Sequence, residues 1–123
     1  MAASRIGTLT FDCRDPKLLA GFWCAVLGFE EYDADETGVA IRDPSGTDRD
    51  LLFLIVPEGK AVKNRIHLDL VPSSTMKEEV ERLVAAGASA QRYVEEGGSY
   101  WTIMEDPEGN EFCVLRSDSE RAP

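Results

Sequence analysis

The sequence predicts an α+β fold of two βαβββ modules forming an eight-stranded mixed sheet that curves around a cleft. Three observations predict it. Apolar residues recur at helical spacing twice, each time between strand-like runs in the same order. Helix-ending glycines, Gly28 and Gly87, lie 59 residues apart. Two Asp-Pro-x-Gly turns, Asp43 to Gly46 and Asp106 to Gly109, lie 63 apart.

Residues 6–13 alternate and read as the first strand. Asp15 then offers an N-cap and Pro16 a first helical residue. Leu19, Phe22, Trp23, Val26 and Leu27 make one apolar helix face, and Gly28 closes the helix. Strands follow at 30–33 and 39–42, then a turn over 43–50 and an apolar fourth strand at 51–56. The second half repeats this order. Residues 65–71 are a strand, and Thr75 with Glu78 spells a capping box. Met76, Val80, Leu83 and Val84 share a helix face that Gly87 ends. Residues 89–94 and 100–105 are strands, 106–111 a turn and 112–116 the last strand. The polar tail SDSERAP (117–123) is expected to fray. One βαβββ unit cannot cover both faces of its sheet. Two units can, so residues 1–123 form a single domain, with modules at about 5–58 and 64–117.

The chain has 123 residues, 43% hydrophobic, which suits one core. A net charge of −10 repels nucleic acid and anionic membranes, so neither is expected as a partner. No apolar run approaches the roughly 20 residues that span a bilayer, and the start lacks a signal-peptide pattern. Three cysteines without CxxC spacing fit reduced thiols, and the expected location is cytoplasmic.

The stretches DPKLLAGFWCAVLGFE (15–30), NRIHLDLV (64–71) and MEDPEGNEFCVL (104–115) resemble the vicinal oxygen chelate superfamily, and within it the glyoxalase-like members. That superfamily includes glyoxalase I, extradiol dioxygenases and bleomycin resistance proteins. The resemblance runs from about Arg5 to Arg116. It implies a small-molecule ligand, a homodimer and, in metal-dependent members, one ligand from each of four strands. Carried over, those positions fall on Thr8, Leu54, His67 and Cys113. Only His67 is a good ligand for a divalent metal, and Cys113 stands where Glu is usual. A two-residue slip on the last strand would offer Glu111 instead. Asp69 lies nearly 7 Å along the strand from His67, which sets it at another depth. No metal and no other cofactor is therefore expected, with a divalent metal as the alternative.

Alternation sends Leu9, Phe11 and Cys13 under a helix, and Thr8, Thr10 and Asp12 to the cleft. It sends Ile66, Leu68 and Leu70 to the second helix, and His67, Asp69 and Val71 to the cleft. Leu52, Leu54, Val56, Cys113 and Leu115 join the lining, and one of Tyr100 and Trp101 does too. The expected ligand-binding set is Thr8, Thr10, Leu54, His67, Asp69, Trp101 and Cys113. His67, whose ordinary pKa of ~6.5 suits a general base, is the candidate catalytic residue. Residues 95–100, with two glycines, are a candidate mobile flap. The expectation is a protein that binds a small, partly apolar molecule without the family metal site. The alternative is a lyase, isomerase or dioxygenase-type enzyme using His67, with or without a weakly held metal.

Overall fold

The computed structural model describes residues 3–121. Contacts divide the chain into two compact units, with the boundary between Gly59 and Lys60.

The first unit contains β1 (Thr8–Cys13), α1 (Pro16–Leu27), β2 (Glu30–Ala34), β3 (Gly38–Arg42) and β4 (Asp50–Ile55). Its strand order is β1-β4-β3-β2, with β1 parallel to β4 and the other pairs antiparallel. The Asp15 carboxylate accepts from the Leu18 backbone N–H at 3.1 Å, and Gly28 takes a left-handed φ of 72° at the other end. Leu19, Ala20, Phe22, Trp23 and Val26 are buried on α1, which packs on β3 and β4. Val39, Ile41 and Phe53 complete this core, and the Phe11 ring lies 5.9 Å from Trp23 and 5.2 Å from Phe53. Such a core is dominated by large side chains, and truncating one costs about 3–5 kcal/mol.

The second unit contains β5 (Leu68–Leu70), α2 (Met76–Ala85), β6 (Ser89–Glu96), β7 (Ser99–Glu105), β8 (Glu111–Leu115) and a short α3 (Asp118–Arg121). Its order, β5-β8-β7-β6, repeats the first unit's topology, again with a parallel outer pair, β5 and β8. The capping box is present: Thr75 Oγ1 accepts from the Glu78 backbone at 3.1 Å, and Glu78 reaches back to the Thr75 N–H. Phe112, Val114, Met104 and Leu83 are fully buried between sheet and helix. The duplication extends to an irregularity. The β2–β3 pairing slips between Glu31 and Asp33, and the β6–β7 pairing between Ala90 and Arg92. Tyr32 and Gln91 are the extra residues, 59 apart like the two glycines, and each bulge bends its edge strand.

Several expectations need correction. The strands form two four-stranded sheets, one per unit, in place of one sheet of eight, because β1 and β5 each pair with the last strand of their own module. The fifth strand spans three residues, since the chain bends at Arg65 and Ile66 before pairing begins. Ile66 is therefore 80% exposed, and Val71, beyond the strand, is also exposed. Val84 is exposed as well, because α2 buries only Met76 and Leu83 fully. The expected flap is a tight hairpin. Glu96 pairs with Ser99, and Gly97 and Gly98 supply the two positive φ angles that a two-residue turn of this hand requires.

Residues 118–121 form the helical turn α3, where fraying was expected; residues 122–123 lie outside the described residues. Glu120 holds it. One carboxylate oxygen accepts from the Met76 N–H at 2.8 Å and from the Ser117 N–H at 2.9 Å. The other accepts from the Tyr100 hydroxyl at 3.2 Å. A carboxylate over the first turn of α2 also meets the positive end of its dipole.

Candidate functional site

The second unit's sheet has two unlike faces. Alternate residues of β8 (Phe112 and Val114) are buried, as are Thr102 and Met104 of β7, and α2 packs against these strands. The other face presents Trp101 and Ile103 from β7, Cys113 and Leu115 from β8, and Asp69 from β5. The register explains their meeting. Asp69 pairs across with Cys113, Cys113 with Ile103, and Trp101 with Leu115. These residues, with Lys63, His67 and Glu111, line a pocket of about 460 Å³.

His67 precedes β5 and is not part of it, so it is free of the pleat. Its Nδ1 lies 3.0 Å from Asp69 Oδ1. An ionised carboxylate only accepts, so Nδ1 carries the proton and the other ring nitrogen, Nε2, is the acceptor of the neutral ring. The Cys113 Sγ lies within 4.8 Å of the Asp69 carboxylate as well. Burial first, and then the Asp69 charge, push the Cys113 thiol up to about 11, with Lys63 opposing. Cys113 is thus a protonated thiol at neutral pH and no nucleophile.

Glu111 forms part of the wall and is already engaged. It accepts from Lys60 Nζ at 2.8 Å and from the Asn64 backbone at 3.1 Å. Burial alone would raise its pKa, but these donors outweigh burial and lower it. Beside it the Asn64 side chain donates to Asn110 Oδ1 at 3.0 Å, and Asn110 in turn donates to Asp106. The segment leading to His67 is therefore fastened to the turn before β8.

Of the expected site residues, the structure brings together His67, Asp69, Trp101 and Cys113. Thr8 and Thr10 are exposed on β1 in the first unit, and Leu54 lines a hollow of about 220 Å³ there with Leu52, Ala40 and Asp35. Trp101 faces the pocket, whereas Tyr100 packs with Tyr93 and under the Arg116 guanidinium. Sequence reasoning did not name Lys63 or Ile103. Ile103 was accessible, since it shares a face with Trp101.

A family model for the glyoxalase-like domain matches residues 8–115. The chain belongs to the glyoxalase-like family. No curated protein matches it. Solved structures share the fold. A glyoxalase/bleomycin resistance protein/dioxygenase family enzyme from Burkholderia phytofirmans PsJN is 19% identical, with a TM-score of 0.70 over 88% of this chain and 94% of its own. The fosfomycin resistance protein FosX from Mesorhizobium loti is 15% identical, with a TM-score of 0.70 over 98% of each chain. A possible glyoxalase from Bacillus cereus is 19% identical, with a TM-score of 0.70 over 92% of this chain and 99% of its own. Among the described residues no helix is long and apolar enough to cross a membrane.

The glyoxalase-like fold raises the question of a divalent metal held from four strands. The donors here do not fit that arrangement. Leu54 is a hydrocarbon, Thr8 a neutral hydroxyl, and Cys113 a thiol where a carboxylate is usual. Glu111 is occupied by Lys60 and Asn64. That arrangement is built from imidazole and carboxylate donors, and only His67 supplies one at these four positions.

Proposed function

We propose that this glyoxalase-like protein binds a small, partly apolar molecule in the pocket of its second module, without the four-strand metal centre. The observation that supports the reading is the lining. Trp101, Ile103 and Leu115 offer an apolar wall, while His67, Asp69 and Lys63 offer a few convergent polar groups. A volume near 460 Å³ suits a metabolite-sized ligand. The aromatic face gives area at low entropic cost, and the polar groups set orientation. A homodimer goes with this reading on family grounds, and sedimentation at micromolar concentration checks it.

The test is a thermal-shift screen of small aromatic and aliphatic acids and amides on protein stripped of metal. A binder at 100 times its Kd adds about 2.7 kcal/mol of stability. Trp101→Ala should abolish the shift. A screen without binders, beside turnover of some substrate by the same preparation, overturns the proposal.

One observation favours a second reading, catalysis. Asp69 fixes the tautomer of His67, leaving Nε2 to accept a proton from a bound molecule. On this reading His67→Ala abolishes turnover but keeps ligand-induced stabilisation.

A further inference from the structure

The groups gathered at Asp69 mark a second property of the pocket. The His67 ring is hydrogen-bonded to its carboxylate at 3.0 Å, and the Cys113 thiol stands beside both. One donor atom from each of His67, Asp69 and Cys113 lies within 4.8 Å of the other two. Tetrahedral zinc, with bonds of about 2.0–2.3 Å, needs donors roughly 3–4 Å apart, so a small inward shift closes the set. The expectation that Asp69 lies at another depth assumed a regular strand through His67. The bend at Arg65 and Ile66 removes that assumption.

We propose that His67, Asp69 and Cys113 form a three-donor site for a thiophilic divalent cation of the zinc class, built entirely from the second module. This is not the four-strand arrangement of the family. It uses no donor from β1 or β4, it includes Asp69, and it takes a thiolate in place of a carboxylate. The donor chemistry selects the ion. Imidazole with thiolate favours zinc, cobalt and cadmium over magnesium or calcium, which prefer all-oxygen shells. The balance is simple. The cation displaces the thiol proton to solvent, and the metal–sulfur bond replaces the S–H bond. His67 would coordinate through Nδ1, whose proton passes by way of solvent to Nε2, so the ring stays neutral and its hydrogen bond to Asp69 gives way to two coordinate bonds. Its two positive charges are neutralised by the thiolate and the carboxylate. Three protein ligands leave a fourth position for water or a pocket ligand. His67 and Asp69 are exposed and Cys113 lies at the pocket floor, so an ion has a path in.

The inference stands apart from the ligand reading. Metal binding is measured on ligand-free protein, and ligand binding on metal-stripped protein, so either can fail alone. The experiment titrates untagged, metal-stripped protein with Co²⁺ and follows thiolate-to-cobalt charge-transfer absorption. The expected result is a band that saturates at one equivalent, is displaced by Zn²⁺ and is unaffected by excess Mg²⁺. Cys113→Ser should lose the band and Cys24→Ser should keep it. Asp69→Asn should weaken Co²⁺ binding about tenfold or more. Absence of a band in the wild-type protein overturns the proposal, as does a band that persists in Cys113→Ser. Should Cys113→Ser fail to fold, Asp69→Asn, a change at an exposed position, decides: unchanged Co²⁺ affinity overturns the proposal.

Discussion

Gly38 stands at the start of β3, and a methyl group added there would collide with the Phe53 carbonyl oxygen of β4. The obstacle is backbone, so the strands would have to separate. Gly38→Ala is expected to cost about 1–3 kcal/mol or more, read as a lowered denaturant midpoint at unchanged slope. A neutral substitution would mean that β3 and β4 are not so tightly apposed. Glycine in a strand announces such an approach only weakly, and the sequence alone does not say which neighbour comes close. The site divides in the same way. Period-two alternation was enough to put Asp69, Cys113 and Leu115 on one face. The sequence also allowed His67 to bond Asp69, among other partners, but the choice among them was not legible, because it depends on a bend that has no glycine or proline to mark it. Glu111 was visible only as a slipped register, and its partners Lys60 and Asn64 lie 51 and 47 residues away.

At the scale of elements, both helices were legible to within a residue or two, because cap and apolar stripe agreed at each. The strands were legible where both faces are constrained and least where one edge is open, as at β5. What capped α2 from outside was hidden. Glu120 is 44 residues from Met76, and no local pattern links them. The backbone N–H of Ser117 contributes most to lowering the Glu120 pKa below its usual 4.5, and burial opposes it. A carboxylate lowered in the folded state adds stability above its unfolded value. That contribution is lost as pH falls below 4.5 and through the lower folded value. Glu120→Gln should therefore reduce the midpoint of thermal unfolding at pH 7 and flatten its decline between pH 5 and pH 3. Parallel curves for variant and wild type would show that the contact adds nothing in solution. The capping box makes a sharper demand. Thr75→Ala should cost about 1 kcal/mol, measured by urea unfolding.

Across the whole molecule, the segment between Ile55 and Leu68 joins the two compact units without regular structure. Lys60 and Asn64 tie it down at Glu111, while Val62 and Ile66 are exposed. Glu111→Gln keeps the shape but removes the ion pair with Lys60. Trypsin should then cut at Lys60, Lys63 or Arg65 several-fold faster than in the wild type, with mapped fragments near the unit boundary. Equal rates would mean that the Asn64–Asn110 contact alone holds the segment. The two units are alike in topology and unlike in their polar groups. The single histidine and the buried thiol beside Asp69 both fall in the second. The shared bulges at Tyr32 and Gln91 have a consequence for solubility. β2 and β6 each end the strand order of their sheet, and a bent, twisted edge offers a further chain no straight ladder of N–H and C=O groups to pair with.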